Sequence, residues 1–272
     1  GRWPWPRDVH AELIDKLAAA RAKTIVHTAF FFEPQTDRGL AYIRRIKEAL
    51  AAGKIKADVA TSLIAEAEQA LDTDAKLAAS MARAGNVLVP SFFVLGEPQG
   101  RADKPLPAAA LRSAIDENSA FSLPSVSTQQ PIDAIADAAA GIGHLNQLND
   151  VDGAVRSEPM LVNYYGKAVP SMALLAAARS LNLTPADIRL NVGESVQLGK
   201  LRVRTDEAAR VLPQFYRARD GKPPFPVDSF YDVLSGKIPP SKYADKIVLI
   251  GATAAGVGVQ SPGAGSPAIT AE

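Results

Sequence analysis

Strand-length apolar runs alternate with helical apolar stripes along most of this chain. Val9, Leu13 and Leu17 recur at helical spacing and predict an amphipathic first helix that ends near Arg21. The next segment, residues 24–32, is a nearly continuous apolar run rich in β-branched and aromatic residues. A run of this kind is typical of a strand that is buried on both faces in a parallel sheet.

Residues 37–84 carry the apolar stripes of two or three more helices, the last of which ends at Gly85, a normal C-terminal glycine. Another apolar run at residues 86–94 predicts the second buried strand. Helix, strand, helices and strand in this order are the rhythm of a mostly parallel sheet. We therefore interpret residues 1–272 as one domain with a helical insertion at about residues 37–84.

The middle of the chain is less regular. Residues 96–107 are rich in Gly, Pro and charge and predict a surface loop, and residues 106–118 predict a short helix. Residues 121–130 are polar and are interpreted as irregular. A further helix is predicted to begin at Pro131 and to end at Gly141.

Residues 138–179 are the predicted centre of the domain. They indicate the end of a helix, a strand, a tight turn at residues 150–153, a return strand, and a helix that Pro170 and Ser171 open. Asp and Gly in a short connection between two extended arms are the ordinary signal for a hairpin, because Gly supplies the positive φ of the turn.

The last third predicts short elements. These are a small meander of strands at residues 188–192, 195–198 and 201–204, a weak strand at 211–216, a helix at 226–235, and a final strand at 246–252 that is buried on both faces. The complete pattern predicts an α/β fold of three layers. Its central sheet is mostly parallel, with helices on both faces and an antiparallel hairpin and meander.

Composition narrows the functional classes. The chain is 47% apolar and 22% charged, as in ordinary folded proteins, and its net charge of +1 argues against a dedicated nucleic-acid binder. The absence of cysteine excludes disulfides, thiolate metal sites and a cysteine nucleophile. No run of eighteen apolar residues occurs, so we expect the chain as given neither to span a membrane nor to carry a signal peptide. An ectodomain taken from between two membrane helices would show the same pattern.

Polar side chains crowd the predicted hairpin and form the candidate ligand-binding site. The candidates are His144, Asn146, Asp150, Asp152 and Arg156. The alternative interpretation is a hydrogen-bonded hairpin that binds no ligand.

Neither a metal nor a cofactor is predicted. Asp150 and Asp152 with Gly153 are similar to the start of a calcium loop, but the closing Glu is missing because the last loop position falls on Leu161. Turn chemistry is the preferred explanation for these residues. The small-residue segment at 251–258 lacks the Gly-Lys-Ser/Thr ending of a phosphate loop, although it is a candidate for lining a crevice.

No catalytic constellation is found, so we predict a non-catalytic domain. The chain has no G-x-S-x-G motif, and only His10, His27 and His144 could serve as bases. His27 lies within an apolar run and is interpreted as a hydrogen-bonded core residue. Trp3 and Trp5, which alternate with prolines, are either an aromatic anchor beside a membrane or an extended lead-in that caps the core.

Several sequence blocks together resemble the CHASE-two family, the type-two cyclases/histidine kinases associated sensory extracellular domains. The resemblance covers nearly the whole chain. Its blocks are RWPWPRD at residues 2–8, the strand into FEP at 32–34, AGNVL at 84–88, the polar core at 143–156, PSMAL at 170–174, FPVDSFYDVLSGKI at 225–238 and KIVLIGAT at 246–253.

The resemblance implies a periplasmic or extracellular sensory domain at the face of a bacterial inner membrane. In that family the domain lies between an N-terminal membrane helix and further C-terminal membrane helices. The output is a cytoplasmic nucleotide cyclase such as adenylate cyclase, a diguanylate cyclase or phosphodiesterase, a histidine kinase or a Ser/Thr kinase. The implied partners are a small-molecule, ion or protein signal and the flanking membrane helices, with a homodimer as a further candidate.

Two features depart from the family pattern. The insertion around residues 37–76 is longer than in the shorter members and is a candidate dimer or partner surface. The tail after Gly258 lacks the Asp and the Thr-Pro block that commonly follow the last strand. Two rival functions stay open at this point: an α/β enzyme that uses the same sheet edge, and a periplasmic solute-binding protein with two lobes and a cleft.

Overall fold

A computed structural model describes residues 5–35, 37–53, 60–116, 123–217 and 224–252. The α-helices are α1 (Arg7–Ala19), α2 (Arg38–Ala51), α3 (Ala60–Leu71), α4 (Thr73–Ala84), α5 (Ala108–Leu111), α6 (Asp133–Ala138), α7 (Met172–Ser180) and α8 (Phe230–Leu234). The strands are β1 (Thr24–His27), β2 (Val87–Leu95), β3 (Ile115–Asp116), β4 (Leu123–Gln129), β5 (Gly141–His144), β6 (Glu158–Pro159), β7 (Leu161–Tyr164), β8 (Lys167–Pro170), β9 (Ile188–Asn191), β10 (Ser195–Leu198), β11 (Leu201–Arg204), β12 (Arg210–Val211) and β13 (Ile247–Ile250).

The large sheet is mixed rather than mostly parallel, which corrects the sequence prediction. Its strand order is β13-β1-β2-β4-β7-β8-β3, and β5 pairs separately with β2. Parallel pairs join β1 to β13, β1 to β2, β2 to β5 and β4 to β7. Antiparallel pairs join β2 to β4, β7 to β8 and β3 to β8. The α/β class is confirmed.

The sheet also curls, which the sequence did not predict. The long strand β2 pairs with β1 through residues 87–88, with β5 through residues 88–91, and with β4 through residues 92–95. An isolated parallel bridge between His144 and Ser171 connects the end of β5 to the residue after β8. Strands β2, β4, β7 and β8 therefore pair one after another, and the His144–Ser171 bridge together with the β5–β2 pairing connects β8 back to β2.

The interpretation of residues 121–130 as irregular was wrong, because Leu123–Gln129 forms strand β4. Its polar side chains bond to the backbone of neighbouring strands. The Ser125 hydroxyl donates to the Asn163 carbonyl at 2.8 Å, and the Thr128 hydroxyl donates to the Phe92 carbonyl at 3.2 Å. A polar sequence can thus occupy the interior of the sheet without leaving its hydroxyl groups unsatisfied.

The predicted turn at residues 150–153 is present, but it does not join the arms of a hairpin. Gly153 N donates to the Asp150 carbonyl at 2.8 Å, yet the segments on either side share only one antiparallel bridge, Leu148 to Ser157. The actual hairpin is formed by β7 and β8. Its turn uses Tyr165 and Gly166 at φ values of 50° and 85°, the two consecutive positive values of a tight hairpin.

Helices cover both faces of the sheet, as predicted. One core packs α1, α4 and α6 against residues such as Ile25 and Val89, and the second packs α7 and the meander β9-β10-β11 against residues such as Val26 and Leu88. Successive strand residues point to opposite faces, so one apolar run contributes to both cores. Ser171 caps α7 by accepting a hydrogen bond from Leu174 N at 3.1 Å, which confirms the predicted helix start.

Several predicted elements are shorter or less buried than expected. Strand β1 ends at His27, β12 contains only Arg210–Val211, and α8 begins at Phe230. Strand β13 lies at the sheet edge, and Leu249 is 71% exposed, so the prediction of burial on both faces was wrong. Of the small-residue segment at 251–258, only the first two residues belong to the part of the chain that the structure describes.

The predicted insertion forms three helices. Helix α4 packs on α1 and α6, while α2 and α3 pack on each other. Residues 54–59, between α2 and α3, lie outside the described residues. None of the helices that the structure describes combines the length and the apolar character needed to cross a bilayer.

Candidate functional site

The structure divides the five predicted site residues into two groups. His144 and Asn146 are buried, at 1% and 8% exposure. Asp150, Asp152 and Arg156 lie together on the surface. The five side chains therefore do not converge on one cavity.

Asn146 takes the place of a neighbouring strand beside β2. Its Oδ1 accepts a hydrogen bond from Phe93 N at 3.1 Å, and its Nδ2 donates to the Phe93 carbonyl at 2.6 Å. Both backbone groups would otherwise be buried without a partner where β5 ends. The position of this side chain is explained by packing of the sheet.

His144 is held as a neutral imidazole. Asn146 N donates to His144 Nδ1 at 3.3 Å, so the ring proton is on Nε2. The Met160 backbone favours a proton on this imidazole, but Nε2 makes no hydrogen bond of ordinary geometry with any described group. Burial lowers the pKa of His144 to about 3, and the Met160 backbone opposes this shift.

The exposed group is a compact ion-pair cluster. Arg156 Nη1 donates to Asp150 Oδ2 at 2.9 Å and to Asp152 Oδ1 at 2.8 Å, while Nη2 donates to Asp152 Oδ2 at 2.7 Å. These bonds from Arg156 are the main reason that the pKa of Asp152 is held well below its usual range. Asp152 also accepts from Ala154 N at 3.1 Å, an Asx-type turn bond that agrees with the turn interpretation of these residues.

Ser171 and Glu158 approach the same region but do not complete a catalytic triad with His144. The Ser171 hydroxyl oxygen is occupied as the cap of α7. Burial raises the pKa of Glu158, and the Ser171 side chain opposes this shift. None of the described hydrogen bonds joins the Ser171 hydroxyl to an imidazole, so a nucleophile and its base are not aligned here.

A second histidine site was missed by the sequence analysis. His27 Nε2 lies 3.1 Å from His10 Nδ1, which confirms His27 as a hydrogen-bonded core residue. The role of His10 could have been recognised from its spacing, because His10 shares the helical stripe of Ile14 and Leu17 and all three are buried. Its partner in β1, seventeen residues away, could not be read from that pattern.

The hydrogen bonds fix the protonation of this pair. Ala29 N donates to His27 Nδ1 at 3.2 Å, so the ring proton of His27 is on Nε2 and is donated to His10 Nδ1. The pKa of His10 is lowered to about 4, mainly by burial and also by the positive charge of Arg7, while Asp8 opposes the shift. Burial and the neighbouring His10 hold the pKa of His27 well below its usual value.

Aromatic rings enclose the pair. His10 contacts Phe230 with ring centroids 5.3 Å apart, and His27 contacts Phe31 at 4.9 Å. Trp5 packs edge-on against Phe230 at 4.7 Å, which agrees with the interpretation of this ring as a cap on the core. Trp3 lies outside the described residues.

Arg7 ties the start of α1 to two other elements. Its guanidinium pairs with Asp74 in α4 and donates to the Glu33 carbonyl after β1. It also lies over the Phe31 ring, 5.2 Å from the centroid. Gln35 Oε1 accepts a hydrogen bond from Arg7 N at 2.8 Å. The first turn of α1 is thereby fixed both to the neighbouring helix and to the segment that leaves the sheet.

The first and last described elements meet beside this pair. In the parallel register His27 is the partner of Ile250, and Thr28 donates to the Ile250 carbonyl from both its backbone N and its hydroxyl, each at 2.9 Å. The start of α1, the end of β1 and the end of β13 therefore lie at the same end of the sheet.

A groove of about 730 Å³ lies between α1, α3 and α4. Its acidic residues include Asp15, which pairs with Arg83 at 2.9 Å, and Asp72, which caps α4 by accepting from Ala75 N at 3.0 Å. The lining belongs to helices rather than to the sheet edge. The groove is therefore separate from the edge at which an α/β enzyme would place its site.

Residues 1–264 match the family profile described as the CHASE2 domain. This is the CHASE-two family that the sequence blocks resemble. The chain belongs to the CHASE2 domain family. Its members are extracytoplasmic sensory domains, which receive signals and are generally non-catalytic. Neither the curated proteins nor the solved structures that were compared gave a significant match.

Proposed function

We propose that this CHASE2 domain is the signal-input part of a membrane-bound signalling protein, on the periplasmic or extracellular face of a bacterial inner membrane. The observation that carries the proposal is the pairing of β1 with β13 beside the start of α1. Membrane helices that preceded α1 and followed β13 would enter and leave the domain at the same end. A change at that end would alter their spacing directly.

The proposed mechanism is a population shift between two arrangements of these elements. A signal that binds one arrangement more tightly than the other increases the population of that arrangement. The contacts of Arg7 with Asp74 and Glu33 supply a physical connection from α1 to α4 and to the segment after β1. The output would be a cytoplasmic cyclase, phosphodiesterase or kinase domain, and the domain itself performs no reaction.

A disulfide between positions 28 and 251 tests this mechanism. A Cβ atom built at Gly251 would lie 2.9 Å from Thr28 Oγ1, so the two Cβ atoms of a Thr28→Cys/Gly251→Cys variant come within about 4.5 Å, as a disulfide needs. The 272 residues themselves contain no native cysteine. In the full-length parent protein, we expect oxidation of this pair to change the basal output, and reduction to restore it.

The matched controls are the two single-cysteine variants, whose output should not respond to oxidation or reduction. Equal output from the oxidised and reduced double variant would contradict the proposed coupling between the two ends. The quantity compared is the rate of product formation in membranes that contain equal amounts of the parent protein.

For the predicted ligand site, we propose that the exposed cluster of Asp150, Asp152 and Arg156 is the part available to a ligand. Support comes from exposure, since the Arg156 side chain is 55% accessible, whereas His144 and Asn146 serve the fold from inside. A ligand carboxylate or phosphate would have to displace the two aspartates from Arg156. Unchanged signalling and unchanged folding in Arg156→Ala would remove this proposal and leave the interpretation of a loop without a ligand.

The helical insertion is proposed as a dimer or partner surface. Tyr42 and Ile46 in α2 are 68% and 39% exposed and lie one helical turn apart, which supports a contact role. Analytical ultracentrifugation of the wild-type chain and of Tyr42→Glu tests the homodimer. Equal sedimentation of the two as monomers would contradict it.

A further inference from the structure

The histidine pair between α1 and β1 is a buried hydrogen-bonded contact between two groups that can each take up a proton. The chain has three histidines, and His10, His27 and His144 are all buried, at 4%, 1% and 1% exposure. Two of them bond directly to each other across the junction of the first helix and the first strand.

We infer that His10 and His27 form an acid-sensitive latch. On acidification one of these imidazoles takes up a proton, the His27–His10 hydrogen bond is lost, and the start of α1 separates from β1 and α8. The inference deepens the proposed function and rests on it, because it identifies acidification as a signal that acts where the first and last described elements meet.

The hydrogen-bond pattern explains why a proton opens the latch. Both Nδ1 atoms already accept hydrogen bonds, from Ala29 N in the case of His27 and from His27 Nε2 in the case of His10. A proton added to His10 Nδ1 would face the N–H of His27, and a proton added to His27 Nδ1 would face the N–H of Ala29. In either case two donors point at each other, so an attractive contact becomes repulsive.

The surroundings of the pair also disfavour protonation of the imidazoles while they stay in contact. Arg7, on the same helix, repels an imidazolium at His10, and Asp8 attracts it more weakly than burial disfavours it. Asp74 of α4 is engaged by Arg7, and Asp228 is engaged by Lys242 and Tyr243 of the segment Pro240–Tyr243. Among the described residues, the aromatic rings of Phe31 and Phe230 also contact His10, with ring centroids 6.3 Å and 5.3 Å away.

These surroundings set the direction of the pH response. A histidine whose pKa is lower in the closed state than in the open state binds its proton more tightly when open, so acid favours opening. For His10, values of about 4 when closed and the ordinary 6.5 when open give an opening constant about 20-fold larger at pH 5 than at pH 7.

Opening would act on both chain ends. His27 is the register partner of Ile250, and the following residue, Thr28, donates two hydrogen bonds to the Ile250 carbonyl. Loss of the His10–His27 hydrogen bond removes one of the attachments of α1 to this junction, beside those that Arg7 makes to Glu33 and Asp74. The first helix could then change its position relative to the last strand.

Hydrogen exchange of the 272-residue chain tests the latch. The variant His10→Asn/His27→Gln removes both titrating rings but keeps an acceptor near the His10 Nδ1 position and a donor near the His27 Nε2 position. In the wild type, protection factors for α1 amides should fall at least about tenfold between pH 7.5 and pH 5, relative to the β7-β8 hairpin. In the double variant they should change less than about twofold. The control His144→Asn keeps the acceptor for Asn146 N and should open like the wild type.

Constant α1 protection down to pH 5, or an equal fall in wild type and double variant, would overturn the latch. If the double variant does not fold, the ring resonances of the wild type decide the question. The signals of His10 and His27 should then titrate together with the α1 amide shifts, and independent titration would contradict the inference.

The output of the parent protein separates the latch from the proposed function. We expect a change in output between pH 7.5 and pH 5 that the double variant abolishes. If the output activity is independent of pH but changes with the disulfide between positions 28 and 251, the latch is refuted and the proposed signal-input function stands. Failure of both responses would refute the proposed function as well.

Discussion

Replacing Asn146 by alanine tests whether this residue stabilises the fold or is a ligand-binding residue. The substitution removes the acceptor for Phe93 N and the donor to the Phe93 carbonyl. Asn146 is 8% exposed, so water has little access to the two backbone groups that it leaves behind. An unsatisfied buried backbone group costs about 1–3 kcal/mol, and two of them should lower the free energy of unfolding by about 2–6 kcal/mol.

The assay is urea denaturation of the purified chain, followed by far-UV circular dichroism. Asn149→Ala is the matched control, because Asn149 is exposed and its side chain, among the described residues, bonds to Gln147 at 3.2 Å. Its effect should stay within about 0.5 kcal/mol. A loss below about 1 kcal/mol for Asn146→Ala would refute the strand-replacement role and return this residue to the candidate ligand site.

Three further predictions concern packing and charge. Asp74→Ala should lower the free energy of unfolding by about 3–5 kcal/mol, because it leaves the charge of Arg7 unpaired on a side chain that is only 11% exposed. In urea denaturation, the added substitution Arg7→Met should recover part of this loss. Gly143→Ala should cost about 1–3 kcal/mol by thermal unfolding, because the new Cβ would lie 2.9 Å from Met172 N; an unchanged melting temperature would contradict this close approach. The free energy of unfolding should fall as the pH drops from about 6.5 towards 4, because the pKa values of all three histidines are lowered in the folded state. Each histidine contributes at most about 2 kcal/mol of this loss by pH 5. A urea midpoint that stays constant over this pH range would contradict the prediction.

The parts of the fold that the sequence predicted are those in which the apolar pattern is local. The first helix, the strands at Thr24 and Val87, the capped helix after Ser171 and the meander follow directly from periodicity and turn residues. Strand β4 was missed because its hydroxyl groups are satisfied by the backbone of adjacent strands, as with Ser125 and Asn163. That arrangement depends on the neighbours and is invisible in the polar sequence.

The hairpin was misplaced for a related reason. The Asp-Gly turn at residues 150–153 is a stronger local signal than Tyr165-Gly166, but β5 pairs in parallel with β2 and is therefore unavailable as a hairpin arm. For the candidate site, the sequence brought Asp150, Asp152 and Arg156 into one short segment, and the structure joins them. It could not show that Asn146 turns inward, because that direction depends on where β5 ends beside β2.

The central claim is that the domain carries a signal as a change between its first and last elements. The most direct measurement is the ratio of output activities of the oxidised and reduced Thr28→Cys/Gly251→Cys parent protein in the same membranes. Allosteric coupling of ordinary strength predicts a ratio that differs from one by about fivefold or more, in either direction. A ratio of one, with the disulfide fully formed and both single-cysteine controls normal, would contradict the account.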